Sequence, residues 1–187
     1  MYLVEGKVYL LSTAGSGNQG LTATVPLIAI SEKLQISEEK LLRSLAISIL
    51  FTIHTKHYLG RLSVLCGCSL SAAMGVGSAI VYMMGGNLKQ IRDVISTMAA
   101  DISGVVCDGA KPGCALKIAT AVESAIRAAN MAMQGSGAGI EDGIVCEDVE
   151  DTLENLGLLG SDGMHGANEM ILQMMMKNQN LNSSCTK

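Results

Sequence analysis

Tryptophan is absent, phenylalanine occurs once, and aromatic residues make up only 3% of the 187 positions. The core must therefore be built from Ala, Ile, Leu, Val and Met, which suit packed helices, with the 12 methionines filling irregular gaps. The chain also lacks any run or stripe of Lys and Arg, and its 17 acidic against 13 basic residues leave a formal net charge of -4. That balance excludes nucleic acid as an expected partner. No charged segment followed by an apolar stretch and a small-residue cleavage site opens the sequence, so no secretory signal is read and the cytoplasm is the expected compartment. No internal repeat is present.

Charge is missing altogether from residues 62–88, which lie between Arg61 and Lys89. Four serines, two cysteines, an asparagine and five glycines dilute that stretch too far for a membrane span, so a buried central helix is expected instead. Six cysteines would allow three disulfides. A secreted disulfide scaffold is usually smaller and poorer in core residues than a chain that is 49% hydrophobic, so reduced thiols are expected.

Together these features predict an all-α, mainly helical single domain over residues 1–187, with a short N-terminal strand or hairpin within 1–13 and a flexible tail over 178–187. Glycine, proline and cap residues place helices over 21–34, 37–55, 69–84, 88–101, 115–133 and 167–177. Pro26 is awkward in the first of these unless it sits in the first turn or marks a kink. Ser37 is the expected N-cap of the second. Faces rich in Ala, Gly and Ser predict interior helices that cross closely.

Chemistry concentrates in two glycine-bounded cysteine segments, Leu65-Cys66-Gly67-Cys68-Ser69 and the stretch from Val106 through Cys107, Asp108 and Lys111 to Cys114. Thiolates bind soft metals and iron–sulfur clusters, and adjacent glycines let backbone N–H groups approach a bulky inorganic core. The spacing does not supply the two close pairs of a structural zinc site. Cys68 opens an Ala-rich helix, whose dipole favours the thiolate, whereas Cys66 reads as a packing residue. Cys146, beside Glu147 and Asp148, is a poor nucleophile.

Gly15-Ser16-Gly17-Asn18-Gln19-Gly20 matches the dinucleotide fingerprint letter for letter, yet residues 37–55 are read as a helix where that unit needs a second strand. The expectation that survives is a helix N-terminus whose free N–H groups bind an anion such as a substrate carboxylate, with Ser16, Gly17 and Asn18 adding donors. His54, Lys56, His57, Arg61 and Ser63 form a polar knot before the first cysteine turn. It is either a solvated helix end or a carboxylate clamp, from Arg61 or Lys56, beside a proton-moving histidine. Lys111 is either a general base or a neutraliser of cluster charge.

The series from Ser12 to Gly20, then Gly60-Arg61-Leu62-Ser63 with Leu65-Cys66-Gly67-Cys68, then Gly104 through Cys107-Asp108-Gly109 to Cys114, resembles the iron–sulfur L-serine dehydratase alpha-chain family, in particular its L-cysteine desulfidase branch. The resemblance implies an oxygen-sensitive [4Fe-4S] cluster acting as a Lewis acid, with Cys68, Cys107 and Cys114 matching its cysteines. It implies β-elimination from L-cysteine, or from L-serine, giving pyruvate and ammonia, with sulfide released from cysteine. For such a reaction the residues themselves offer His57 and Lys111 as the candidate proton-transfer residues, and Ser16, Gly17, Asn18, Arg61 and Ser63 as the candidate substrate contacts. The resemblance also implies that the chain is the C-terminal portion of a longer enzyme. Either Cys114 completes the ligand set, or a thiolate comes from a missing domain or subunit, and homo-oligomerisation is the other expected association. An inactive fragment and a non-catalytic cluster-binding module are the remaining readings.

Overall fold

The computed structural model describes residues 12–60 and 63–184, with side chains to residue 178. The expected N-terminal hairpin, Arg61 and Cys185 lie outside the described residues. Within them the chain forms seven α-helices, and the only extended pairings are isolated bridges, so the all-α expectation is met.

Helix α1 spans Gly17–Leu34 and starts before the expected Leu21, because Ser16 Oγ accepts from the Gln19 N–H and caps the glycine turn into the helix. Pro26 consequently lies in the middle of α1 rather than in its first turn. Helix α2 covers Glu38–Leu59 with Ser37 as its cap, Glu38 and Glu39 in the first turn and Lys56 and His57 in the last, each sign matched to the helix dipole. A π-helical turn, Cys68–Ala72, runs directly into α3, Ala73–Met83. Helix α4, Leu88–Ile102, is fastened by a capping box in which Asn87 and Gln90 bond each other's backbone. Helix α5 begins on the second cysteine segment, at Cys114, and ends at Met133.

The sequence reading placed no element over α6, Val149–Leu158, which Asp148 caps and which buries Leu153 and Leu156 on one face. A second π-helical turn, Leu159–Gly163, leads to α7, His165–Ser184, which continues past the expected end at Lys177.

Helix α3 is the hub. Apart from Tyr82 each of its residues is buried, and α1, α2, α4 and α5 all pack on it. Close approach depends on small residues. A Cβ at Gly75 would stand 2.5 Å from the Ser48 carbonyl oxygen of α2, and one at Gly77 would stand 2.6 Å from Val94 of α4. From α5, Ala121, Ala125, Ala128, Ala129 and Ala132 complete the same seam. No helix among the described residues is long and apolar enough to cross a membrane.

Candidate functional site

The two cysteine segments lie side by side. An antiparallel bridge joins Leu65 to Val106, with the Cys66 N–H donating to the Val105 carbonyl at 2.8 Å and the Cys107 N–H donating to the Val64 carbonyl. Cys66 is buried, Cys68 and Cys114 are half-buried, and Cys107 is exposed. Cys68 opens the π-helical turn and Cys114 opens α5, so each stands at the N-terminal end of its element.

These thiols feel one another. Cys66 is held down to about 5, chiefly because the Cys68 thiol donates to it and secondarily by the Ser69 hydroxyl and the backbone N–H groups of Ser69 and Cys68, while burial opposes the shift. Cys68 is pushed up, first by that same bond, then by burial and by the charges of Cys66, Cys114 and Cys107. The pair thus shares a proton, with Cys66 the better acceptor. At Cys114, the Lys111 N–H donates to the sulfur at 3.4 Å.

Around the first turn the other helices close in. A Cβ on Gly67 would lie 2.8 Å from Gln19 Nε2 and 3.4 Å from Lys56 Nζ, so the first turn of α1 and the last turn of α2 meet over the gap between Cys66 and Cys68. Gln19 is 6% exposed, yet its Oε1 has no hydrogen-bond partner. The buried hydroxyl of Ser71 has none either, whereas that of Ser69 bonds the Cys66 sulfur. Two buried polar atoms on the elements around the first cysteine turn are thus left for a further partner. Among the described residues no three His, Cys, Asp or Glu side chains are gathered as for one metal ion. Whatever these thiols hold must therefore offer more than one bonding atom, or find a further ligand elsewhere.

Lys56 is half-buried. Burial lowers its pKa, and the negative charges of Cys107, Cys68 and Cys66 oppose that shift only partly. His57, next in sequence, is exposed and stands edge-on to Tyr58, which donates to Glu150, as His54 contacts the same carboxylate. Residues one apart on a helix point about 100° apart, so only one of this pair can face the cysteines. Lys111 Nζ bonds Asp108, which also accepts from Lys117, and the two cations hold that carboxyl down to about 2.

Lys117, which sequence reasoning missed, donates to the Val106 carbonyl at 2.8 Å. Burial pulls its pKa down, but Asp108, Cys66 and Cys107 together lift it above the ordinary lysine value. Its position one turn after Cys114 was the available signal. Ser63 Oγ accepts from the Leu65 N–H at 3.1 Å and so shapes the turn. Ser16 is engaged as a cap, while Gly17 and half-buried Asn18 form the first turn of α1. A Cβ on Gly109, at φ +89°, would meet Met175 of α7 at 2.7 Å, so α7 reaches the second cysteine turn.

The family described as serine dehydratase alpha chain matches residues 6–173. Proteins named UPF0597 from Oleidesulfovibrio alaskensis, Alkaliphilus metalliredigens and Clostridium tetani are each 46% identical, over 89%, 95% and 89% of this chain respectively. The chain spans only 39–40% of the length of those relatives. No solved structure matches it. The chain thus belongs to the serine dehydratase alpha-chain family.

Proposed function

We propose that the two cysteine turns cradle a [4Fe-4S] cluster and that this domain serves β-elimination from L-cysteine, yielding pyruvate, ammonia and sulfide. The observation that supports the reading is the Leu65–Val106 bridge, which pairs the two cysteine segments, with Gln19 and Lys56 meeting over the first of them. Cys68 and Cys107 would hold the cluster, with Cys114, or a thiolate from the part of the protein beyond this chain, as third ligand. When bound, the cluster supplies a Lewis acid for the departing SH or OH group.

The chain's own residues do the rest. The N-terminus of α1, with Gly17 and Asn18, offers N–H groups and a positive dipole end to the substrate carboxylate. Gln19 Oε1, buried and without a donor, accepts from the substrate ammonium. Lys56 faces the cysteines where His57 does not, and its amine, kept below the ordinary lysine value by burial, takes the α-proton at Nζ. Lys111 and Lys117, tied to Asp108, hold the second turn in place and place positive charge beside the thiolates. Elimination leaves aminoacrylate, which water converts to pyruvate and ammonia.

L-serine is the second reading, favoured by the description of the matched family. The five described cysteines are all unpaired, which supports a reducing compartment, and we assign the protein to the cytoplasm. Anaerobic reconstitution followed by iron and sulfide analysis tests the cradle. Cys68→Ala and Cys107→Ala should lose most of the iron, and Cys66→Ala should keep it; equal iron in all three refutes the assignment. Pyruvate release from L-cysteine against L-serine, in an assembly containing the rest of the protein, then decides the substrate.

A further inference from the structure

Helix α2 turns hydroxyls to its most buried line, with Leu41, Leu45, Ile47 and Phe51 packing partly buried against the core. Its buried positions are Ser44, Ser48, Thr52, Thr55 and Leu59, whereas Leu42, Leu50 and Ile53 are 58%, 65% and 50% exposed. The inward hydroxyls tolerate burial because each is satisfied at once. Ser44, Thr52 and Thr55 donate to carbonyls one turn back, and Ser48 donates across to the Ala23 carbonyl of α1 at 2.8 Å. Small inward side chains are what allow α3 to come as close as Gly75 does to Ser48. That accounts for the inner face but not for the outer one, where large aliphatic side chains gain nothing in water.

Helix α1 repeats the pattern. Gln19, Thr22, Ala23, Leu27 and Ser31 are buried, and Leu21, Val25 and Ile28 point outward along one stripe. The Ser48 to Ala23 bond fixes the antiparallel register, so Leu21 stands level with Leu50 and Ile28 close to the level of Leu42. Each stripe lies on the far side of its helix from the Ser48–Ala23 contact, so the outer face of the α1–α2 pair is apolar on both helices. Exposed apolar surface of this kind marks an interaction site.

We propose that this face is the docking surface for the portion of the family's full-length protein that the present chain does not contain. Relatives 46% identical to the chain devote only 39–40% of their length to the matched region, so in them some three-fifths of the protein lies outside it and is available to cover an apolar face. The occupant is therefore a folded protein surface with a complementary aliphatic patch. The location has a functional corollary. The first turn of α1 and the last turn of α2, which end this face, are the turns that bring Gln19 and Lys56 to the first cysteine turn. A partner seated here borders the site and can reach into it. The inference rests on family membership and on the helix faces, and not on the chemistry proposed above.

The test mixes the purified chain with the separately expressed complementary part of the Alkaliphilus metalliredigens relative, without iron or substrate. A one-to-one complex by light scattering is expected, with amide exchange slowed on α1 and α2. Leu50→Glu combined with Ile53→Glu should weaken it at least tenfold while the helicity and melting of the chain alone stay unchanged. Met174→Glu combined with Met176→Glu, on exposed positions of α7, should leave it intact. No complex, a complex indifferent to the α2 pair, or one lost through the α7 pair overturns the proposal. So does a dimer of the chain itself that the α2 pair dissolves, since that would give the face to a second copy. Because neither cluster nor turnover is measured, failure here leaves the elimination chemistry to its own test.

Discussion

Replacing Gly75 by alanine probes the close approach of α3 to α2. The added Cβ would sit 2.5 Å from the Ser48 carbonyl oxygen and 3.2 Å from the Ser48 Cα and carbonyl carbon, where 3.0 Å is the nearest that real Cβ atoms come. The obstacle is backbone, not the end of a side chain that can swing away, so α2 and α3 must part by about half an ångström. Overpacking of this kind costs about 1–3 kcal/mol. Against it, alanine is the better helix former by about 0.8–1.0 kcal/mol. Because the obstacle is backbone, the overpacking cost falls in the upper part of its range, about 2–3 kcal/mol, so the net loss should be about 1–2 kcal/mol, which for a chain of this size lowers Tm by about 2–8 °C. Thermal unfolding followed by circular dichroism measures it, with Gly166→Ala in α7, where nothing lies within 4 Å, as the control that should hold or slightly raise Tm. Because α3 continues directly from the π-helical turn that Cys68 opens, the Gly75 variant should also take up less iron. An unchanged or higher Tm for Gly75→Ala, matching Gly166→Ala, would refute the packing argument.

Gln19→Met removes an unpartnered buried acceptor, whose penalty is about 1–3 kcal/mol, so Tm of the isolated chain should hold or rise while substrate affinity in the competent assembly falls at least tenfold. A drop in Tm with normal affinity would make Gln19 a structural residue. Asn87→Ala breaks the capping box of α4 and should cost about 1 kcal/mol in denaturant titration, with no change in iron content. Glu150 is held below the ordinary carboxylate value by the Tyr58 hydroxyl and then by His54, so its contribution is present above pH 4.5 and fades as acid protonates it in the fold. The Tm gap between the parent and Glu150→Gln should therefore narrow from pH 7 towards pH 4, and a gap that widens would contradict the sign.

Much of the frame can be read from the sequence because it depends on local chemistry. Ser37 and the Gly85-Gly86-Asn87 break announce helix ends, and the uncharged stretch before Lys89 reads correctly as a buried helix because serine and glycine dilute it. The start of α1 is hidden by its glycines, which look like loop until Ser16 is seen to cap them. Helix α6 escapes notice because its acidic first turn masks the spacing of Leu153 and Leu156. At the site, proximity of the two cysteine turns is suggested by composition but created by a backbone bridge that no spacing rule foretells. The choice between Lys56 and His57 turns on helix phase, and α2 defeats hydropathy altogether, since its hydroxyls face inward.

The Leu65–Val106 bridge separates its two strands by the whole of α3 and α4, the most buried part of the chain. The two cysteine segments are brought side by side only when those helices pack, since two lone backbone bonds cannot hold such a long loop closed by themselves. For the proposed cluster, capture would then depend on the packed core, and an unfolded chain would present the thiols singly rather than as a premature chelator. Iron content would become a gauge of that core: a cavity cut at Met98 or Val94, buried on α4 rather than in either cysteine turn, should register as missing iron.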